Sequence, residues 1–276
     1  CYWRKCSFCD INLDYIRRFE PADADRIVHQ MEQVARESGS SGFHFVDEAA
    51  PPALLRAISE RIISRGIKLA WWGNLRFDRQ FTPALASLMA EAGCVAVSGG
   101  LEVASPRILS MINKGLNVEQ VASVTRAFSD AGIYVHAYLM YGFPTQSEQE
   151  TIDSLEVVRQ LFDNDCIQSA FWHRFAATAH SPVGRDPKKF KVELLPIETP
   201  KEGLFARNDI PFVDPLGCDH ERLGPGLKKA LYNFMHGTGI DSDVREWFDF
   251  RVPRAKVKRT FIKKALTDAA KSRSPS

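Results

Sequence analysis

Three cysteines stand within the first nine residues of the chain, in the stretch CYWRKCSFCD. Cys1, Cys6 and Cys9 follow the spacing C-x4-C-x2-C, which places three thiol groups in one loop, close enough to bind a single inorganic centre. Thiolates are soft ligands that bind zinc ions and iron–sulfur clusters. The spacing therefore predicts a metal or cluster site in this loop, with these three cysteines as its ligands.

Three kinds of centre use such a loop, and they differ in the ligands that they still need. A structural zinc ion takes four ligands, typically from two separated pairs, and no second Cys or His pair follows at a suitable distance. A plant-type [2Fe–2S] cluster uses this spacing with one distant cysteine, and the nearest candidate, Cys94, opens an apolar strand. A [4Fe–4S] cluster on three cysteines keeps one iron open to a cofactor or substrate. We favour this third interpretation, with zinc, a [2Fe–2S] cluster, and reactive or structural thiols as alternatives.

The composition excludes several other classes of protein. The chain has 276 residues, of which 45% are hydrophobic, enough for one large α/β domain or a domain with an appendage. No apolar run reaches the length of a membrane span and no signal peptide is visible, so we expect no membrane partner. The three remaining cysteines are scattered, which argues against a disulfide framework. We therefore predict a cytoplasmic protein with reduced thiols.

The net charge of +2 predicts no general surface for polyanions, but the C-terminal end of the chain is basic. Between residues 251 and 276, nine Lys or Arg residues accompany a single acidic residue, Asp268. A solvated basic helix and tail is the simplest interpretation. Contact with nucleic acid or with another acidic partner is the alternative, which we do not favour.

Strand and helix patterns alternate after the cysteine loop. Five short stretches rich in β-branched and aromatic residues are typical of strands, namely GFHFVDE, IKLAWWGN, CVAVSGG, IYVHAYLMYGFP and CIQSAFWHRFA. Helical patterns of about 10–16 residues separate them, with proline or polar residues at their starts and glycine at their ends. The alternation predicts an α/β fold with a parallel sheet. We favour a partial (β/α), TIM-like barrel, and an open doubly wound sheet or a full barrel is the alternative.

The strand–helix alternation ends near residue 185. We predict a core domain over residues 1–185, whose first strand lies upstream of residue 1, and a mainly helical C-terminal extension with a basic tail over residues 186–276. Within the extension, the pattern predicts helices at residues 226–236, 241–249 and about 259–271.

Loops at the C-terminal ends of parallel strands carry the chemistry of such folds, and the cysteine loop belongs to that edge. On the fourth strand, alternation puts His136 and Tyr138 on one face. If this polar face lines the interior of the barrel, both side chains are candidates for contact with a substrate, and His173 on the fifth strand joins them. We predict these three residues as catalytic, although each histidine could instead be a hydrogen-bonded core residue.

The cysteine loop resembles that of the radical S-adenosylmethionine (SAM) superfamily. In that family the loop is most often C-x3-C-x2-C with an aromatic residue before the last cysteine, and Phe8 holds the aromatic place here. The first gap is one residue longer in this chain, as it also is in a branch that often carries a cobalamin-binding domain. The resemblance covers about residues 1–185, and the stretches FHFVDEAA, WWGNLRFD, SGGLEVASPRILSMINKG and YLMYGFPTQSEQET support it.

The resemblance implies a [4Fe–4S] cluster on the three cysteines and a SAM site along successive strand ends. The positions that it assigns to cofactor binding are Phe8, Asp47, Glu48, Arg76, Ser98, Glu102 and Gly142. Asp47 and Glu48 stand where an acidic or backbone group holds the SAM ammonium, and Ser98 and Glu102 would approach its ribose or methionine end. Gly142 would let the backbone approach the nucleoside. Val103-Ala104 departs from the Gly-Ser that is usual after the glutamate, so a second hydroxyl contact is not expected.

The resemblance also implies an activity. A reduced cluster, served by an electron donor such as flavodoxin or ferredoxin, would cleave SAM to a 5′-deoxyadenosyl radical that modifies an unknown small-molecule or peptide substrate. A cobalamin-dependent methyltransferase is the favoured subclass, with cobalamin bound by a domain outside this segment, because no D-x-H-x-x-G motif occurs here. The alternatives are a methylthiotransferase acting on tRNA or protein, and an iron–sulfur redox module without catalysis.

Overall fold

The structure is a computed structural model that describes residues 1–196 and 208–272. Residues 197–207 of the predicted extension and residues 273–276 of the predicted basic tail lie outside the described residues. In the described part of the chain, no helix is both long enough and apolar enough to cross a membrane.

The core of the molecule is a sheet of five strands. They are β1 (Gly42–Phe45), β2 (Ala70–Leu75), β3 (Cys94–Glu102), β4 (Tyr134–Tyr141) and β5 (Ser169–Arg174). The strands lie side by side in the order in which they occur in the chain, and each pairs in parallel with the next. The five predicted strands and their parallel arrangement are therefore confirmed, and the sheet with its helices agrees with the predicted partial (β/α) barrel.

Helices precede β1 and connect the strands. They are α1 (Asp14–Arg17), α2 (Ala24–Ser38), α3 (Pro52–Ser64), α4 (Pro83–Glu91), α5 (Pro106–Met111), α6 (Val118–Asp130) and α7 (Glu148–Asp163). Several begin at a polar residue whose side chain accepts a hydrogen bond from the backbone of the first turn, namely Asp23, Thr82, Ser105, Asn117 and Ser147. Such caps satisfy backbone N–H groups that have no partner inside the helix, so these helices begin where the cap residues stand.

The two faces of the sheet differ in what covers them. Side chains on one face, such as Trp71, Val97 and Leu139, are 1% exposed and lie in a core that they share with the helices. The other face, which we call the open face, carries the exposed or half-buried side chains of Trp72, Asn74, Ser98, His136, Tyr138, Phe171 and His173. The strand register places Asn74, Ser98 and His136 side by side across three strands. The alternation predicted for the fourth strand is thus present in the structure.

Short elements follow β5 before two further helices. They are β6 (Ala177–Thr178), α8 (Pro182–Arg185), a 3-10 helix (Pro187–Phe190), β7 (Glu193–Leu194), β8 (Asp209–Ile210) and β9 (Phe212–Val213). β6 pairs with β8 and β7 pairs with β9, both antiparallel. The helix α9 (His220–Met235) packs on β5 and α7, and α10 (Phe261–Lys271) packs on α6 and α7.

Two helix predictions for the extension need correction. α9 begins at His220 rather than at residue 226, because Asp219 caps it and the helix continues through Pro225, a residue that usually marks a helix boundary. The helix predicted at residues 241–249 is wrong. The structure has a single 3-10 turn there, Val244–Trp247, which a capping box at Asp243 begins.

The half-buried carboxylate of Glu150 connects the segments that follow β3 and β4. Glu150 in α7 accepts hydrogen bonds from the N–H and hydroxyl groups of Ser147, each at 3.0 Å, and from the hydroxyl of Ser105 at 2.9 Å. Nη2 of Arg107 lies 2.6 Å from its Oε2. Burial opposes ionisation, but these hydrogen bonds, foremost that from Arg107, lower the pKa of Glu150 to about 2. The ionised carboxylate therefore holds the starts of α5 and α7 together at the C-terminal edge of the sheet.

We predict that Glu150→Gln lowers the free energy of unfolding by about 1–3 kcal/mol, because the neutral amide loses charge-assisted hydrogen bonds and Arg107 loses its ion-pair partner. Urea unfolding at pH 7 measures the change. The matched control is Glu148→Gln in the same helical turn, whose carboxylate has no hydrogen bond or ion pair within the described residues, and it should alter stability little.

The pH dependence gives a second check on Glu150. Its pKa lies below the ordinary value of 4.5, so its contribution is present above pH 4.5 and is lost as the pH falls toward 2. The difference in stability between Glu150→Gln and the wild type should therefore shrink over that range. A difference that stays constant would show that charge is not the cause.

Candidate functional site

The cysteine loop brings two of its three thiols into contact. Cys6 is buried, whereas Cys1 and Cys9 are half-buried. A turn in which the N–H of Cys9 donates to the carbonyl of Cys6 at 3.4 Å places their thiols in hydrogen-bonding contact. Among the described residues no group of three or more Cys, His, Asp or Glu side chains is arranged to hold a metal ion, so Cys1 does not join the pair in this conformation.

The thiol pair has the chemistry of a soft-metal ligand set. The hydrogen bond from Cys9 lowers the pKa of Cys6, and the positive charges of Lys114 and Arg76 lower it further against the effect of burial. The same hydrogen bond, together with burial, raises the pKa of Cys9. Cys6 therefore ionises first, and the thiolate is the form that binds iron. Neighbouring thiols beside fixed positive charge fit the iron–sulfur cluster predicted for this loop.

The loop rests on the turn that follows α5, residues 111–115, which we call the docking turn. Ser7, between the two contacting cysteines, donates to it twice. Its N–H group lies 2.9 Å from the carbonyl oxygen of Ile112, and its hydroxyl lies 2.9 Å from that of Met111. Carbonyl groups at a helix end have no partner within the helix. The end of α5 thus supplies the acceptors that fix the cysteine loop.

Trp3 makes the second attachment of the loop to the docking turn. Its Nε1 donates to the carbonyl of Asn113 at 2.8 Å. Its ring lies against Gly115, where a Cβ atom would approach the ring to 2.2 Å and where the backbone φ is +70°. The guanidinium of Arg76 lies 4.4 Å from the centre of the Trp3 ring and donates from Nη2 to the carbonyl of Lys114 at 2.7 Å. Gly115 is therefore required by both its backbone conformation and its contact with Trp3.

Arg76 supports the cysteine loop in this structure. It is 3% exposed, and its Nη2 lies 3.4 Å from Oδ1 of Asp78, whose other oxygen accepts a hydrogen bond from the hydroxyl of Tyr2. Burial and the bond to Asp78 raise the pKa of Tyr2, so its hydroxyl stays protonated and donates. The sequence predicts Arg76 as a SAM-binding residue; its contacts here are with the loop and the docking turn.

Glu102, the last residue of β3, forms an ion pair. Its Oε1 lies 2.6 Å from Nζ of Lys114 in the docking turn, and both side chains are buried. The pair lies over Gly100, where a Cβ atom would come within 2.0 Å of Glu102 Oε1. The sequence predicts that Glu102 approaches the ribose or methionine end of SAM, whereas in this structure its carboxylate is bound by Lys114. Lys114 was not predicted as a site residue, although it stands in the Asn-Lys-Gly stretch that supports the family resemblance.

Asp47 and Glu48 are exposed and follow β1 after one intervening residue, Val46. Two hydrogen bonds connect the backbone around them to Asn74 of β2. The side-chain amide of Asn74 donates to the carbonyl of Asp47 at 3.2 Å, and the N–H of Ala50 donates to the carbonyl of Asn74 at 3.0 Å. Two exposed carboxylates at the C-terminal edge are accessible to a cationic ligand. Their predicted role with the SAM ammonium stays a prediction.

The three residues predicted as catalytic lie together on the open face. The ring centroids of His136 and Tyr138 are 5.1 Å apart, and those of Tyr138 and His173 are 6.1 Å apart. Nδ1 of His136 lies 2.8 Å from the hydroxyl oxygen of Ser169. Burial, and next the charge of His173, lower the pKa of His136, which keeps its ring neutral at neutral pH. Ser98 lies beside His136 in the register, half-buried.

Gly142, just beyond β4, packs against a residue that sequence reasoning missed. Its φ is +80°, and a Cβ atom there would lie 3.3 Å from the ring of His220, the first residue of α9. Nδ1 of His220 lies 3.5 Å from Sγ of Cys218. The sequence predicts that the nucleoside of SAM approaches Gly142. The His220 contact follows from the return of the C-terminal segment, which no local pattern in the sequence indicates.

A family comparison agrees with this geometry. The model of the radical SAM superfamily matches residues 1–158 of the chain, a range that contains the cysteine loop, β1 to β4 and the docking turn. An uncharacterised methyltransferase of Pyrococcus horikoshii is 28% identical over 158 residues, which are 56% of this chain and 34% of the relative. The bacteriochlorophyllide d C-12(1)-methyltransferase of Chlorobaculum tepidum is 25% identical over 160 residues, 56% of this chain and 35% of the relative.

A third relative, the anaerobic magnesium-protoporphyrin IX monomethyl ester cyclase of Rubrivivax gelatinosus, is 29% identical over 156 residues, 55% of this chain and 27% of the relative. The chain thus spans about a third of the length of these curated relatives.

Solved structures share the fold. The radical SAM methyltransferase TsrM of Kitasatospora setae, with cobalamin and a [4Fe–4S] cluster bound, has a TM-score of 0.62 and 16% identity over 99% of this chain and 59% of that chain. The cobalamin-dependent SAM radical enzyme OxsB, with aqua-cobalamin bound, has a TM-score of 0.57 and 17% identity over 69% of this chain and 34% of that chain. The family model covers more than half of the chain, and the cysteine spacing and the parallel sheet agree with it: the chain belongs to the radical SAM superfamily.

Proposed function

We propose that this chain is the cluster- and SAM-binding core of a methyltransferase that uses cobalamin. Membership of the radical SAM superfamily implies a [4Fe–4S] cluster and SAM as cofactors. The observation that carries the proposal is the placement of the cysteine loop, which the docking turn and Arg76 hold at the C-terminal edge of a parallel sheet. The names of two relatives, both methyltransferases, support the subclass.

The chain supplies ligands and shielding for the cluster. Cys1, Cys6 and Cys9 would hold it, and the rings of Trp3 and Phe8 would keep water from the thiolates. When bound and reduced, the cluster would supply one electron for the reductive cleavage of SAM, the chemistry from which the modification of a substrate would start. The attachments of Ser7 and Trp3 to the docking turn would keep the loop in place as the cluster binds.

Residues at the strand ends would bind SAM itself. The exposed carboxylates of Asp47 and Glu48 suit the SAM ammonium, since both stand at the edge that carries the cysteine loop. The hydroxyl of Ser98 on the open face suits the ribose. Glu102, held by Lys114, keeps acceptor capacity for a further hydrogen bond. Gly142 would shape the nucleoside end, where its left-handed backbone turns the chain away from β4.

The open face would bind the substrate, a small molecule or a peptide. Tyr138 is 37% exposed and Phe171 is 51% exposed, so this face offers aromatic surface that a substrate would cover. His136 and His173 lie among these rings and would supply hydrogen bonds. Because the ring of His136 is neutral at neutral pH, it has one nitrogen that accepts and one that donates.

The proposed reaction needs two further components, cobalamin and an electron donor. Cobalamin would be bound by a domain outside this segment, and an electron donor such as flavodoxin or ferredoxin would reduce the cluster. All six cysteines are free thiols, which suits a reducing, cytoplasmic setting. Binding of nucleic acid by the basic residues near the C-terminus belongs to the alternative of a methylthiotransferase acting on tRNA.

We predict that Cys6→Ala abolishes both cluster uptake and SAM cleavage, because a ligand and the loop's only buried cysteine are lost together. The protein is reconstituted without oxygen and reduced with dithionite in the presence of SAM. Bound iron, acid-labile sulfide and 5′-deoxyadenosine are then measured. Cys94→Ala, which removes the thiol that a [2Fe–2S] site would need, is the matched control and should keep all three.

Other outcomes would decide between the alternatives. Full iron content in Cys6→Ala would refute the assignment of the cluster to this loop. Loss of iron in Cys94→Ala would favour a [2Fe–2S] centre. A cluster in the wild type that never yields 5′-deoxyadenosine or a methylated product would favour a redox module without catalysis.

We predict that Gly115→Ala reduces the iron bound per chain severalfold, because the new methyl group overlaps the ring of Trp3 and loosens the cysteine loop. Gly132→Ala is the matched control: φ is +79° there, so the same backbone penalty applies, but no atom lies within 4 Å of the added Cβ. Iron analysis after identical reconstitution compares the two. Equal iron contents would mean that the contact with Trp3 does not hold the loop for cluster binding.

A further inference from the structure

The ion pair between Lys114 and Glu102 lies beside the cysteine loop in a nearly dry environment. Their side chains are 9% and 11% exposed, and Nζ of Lys114 lies 2.6 Å from Oε1 of Glu102. The same Nζ lies 5.7 Å from the centre of the ring of Phe8, the residue between Ser7 and Cys9. The ammonium group is therefore placed between the end of β3 and the loop that carries the thiols.

The stability of the fold does not explain this pair. Two charges removed from water lose hydration that their attraction often fails to recover, so a buried ion pair is a weak source of stability. Glu102 also has φ of +66°, a left-handed conformation that non-glycine residues rarely adopt. The pair also lies against Gly100, where a Cβ atom would come within 2.6 Å of Nζ of Lys114 and force the pair to shift. Strain and desolvation concentrated at one place indicate a functional demand.

The pair presents its positive partner to the cysteine loop. Nζ of Lys114 lies 5.7 Å from the centre of the Phe8 ring, whereas no hydrogen bond or ion pair among the described residues joins the carboxylate of Glu102 to the loop. We therefore expect the attraction of the ammonium for negative charge in the loop to exceed the repulsion by the carboxylate. Arg76 is a second buried cation beside the loop, but its guanidinium is directed to Trp3 and Asp78.

We propose that Lys114, positioned by Glu102, is the charge partner of the bound cluster and sets its reduction potential. This inference rests on the cluster binding proposed above. Reduction adds one negative charge to a cluster, and a buried cation nearby stabilises that added charge, which raises the potential. Glu102 holds the ammonium in place and moderates its effect. Neither residue binds iron, and both act on the cluster through the electrostatic field.

Substitutions of the two partners should shift the potential in opposite directions. Lys114→Met removes the cation and should make the midpoint potential more negative. Glu102→Gln removes the anion and should make it more positive. The double substitution Lys114→Met/Glu102→Gln should lie between Lys114→Met and the wild type, because Lys114 is the partner that faces the cysteine loop. Redox titration of the reconstituted protein, followed by electron paramagnetic resonance, measures each potential.

Two controls distinguish a shift in potential caused by the electric field from one caused by a loosened fold. Lys264→Met and Asp268→Asn break a solvent-exposed ion pair in α10 with a separation of 4.0 Å, and they should leave the potential unchanged. The double substitution leaves no buried unpaired charge, so it should fold and bind iron even if Lys114→Met does not. Iron and acid-labile sulfide contents are recorded for every variant beside its potential.

The outcomes distinguish this inference from the proposed function. Normal cluster content with unshifted potentials, or shifts of the same sign in Lys114→Met and Glu102→Gln, would overturn the role of the pair and leave the function standing. If Lys114→Met binds no iron, a more positive potential in Glu102→Gln supports the inference, and an unshifted or more negative one overturns it. A wild-type protein that takes up no cluster would overturn both.

Discussion

The end of α5 is the constraint on which the site depends. Carbonyl groups at the end of a helix and in the turn after it lack partners within the helix, and here the cysteine loop supplies the donors. Ser7 and Trp3 bind the first three carbonyl groups of the docking turn, and Arg76 binds the fourth. A loop with almost no regular structure thereby takes its position from a helix, whose own start is held by Ser105 and Glu150.

The parallel sheet brings the candidate functional residues to one edge of the molecule's core. Parallel strands end at one edge, so the docking turn after β3, the carboxylates after β1 and the glycine turn after β4 all come to the same side. The helices cover one face of the sheet, and the open face keeps its histidines and aromatic rings accessible below that edge. The cysteine loop and the acidic strand ends thus lie at the same edge of the sheet, and in the proposed function the open face would hold the substrate.

The sequence predicts the parts of the molecule that local patterns encode. The five strands follow from short β-branched and aromatic runs, and the shared face of His136 and Tyr138 follows from alternation. The pairing of Glu102 with Lys114 could not be predicted, because the pattern around Lys114 indicates only the turn that ends a helix, and the register shift between Gly100 and Glu102 at the end of β3 has no local signal. The contacts of Arg76 with the loop and the docking turn could not be predicted either, since Trp3 and Lys114 lie about 73 and 38 positions away in the sequence. The start of α9 at His220 could not be predicted, because Pro225 inside the helix usually marks a helix boundary.

The contact between Gly142 and His220 has a consequence for how this protein can diverge. Gly142 follows the last residue of β4, and His220 is the first residue of α9, which packs on β5. A Cβ atom at position 142 would lie 3.3 Å from the imidazole, which is tighter than ordinary packing. A side chain at position 142 would therefore require the imidazole of His220 to shift, in addition to the strain of a left-handed backbone. Positions 142 and 220 are thus expected to covary among relatives, and a smaller residue at 220 would remove the packing constraint on position 142 while the backbone constraint stays.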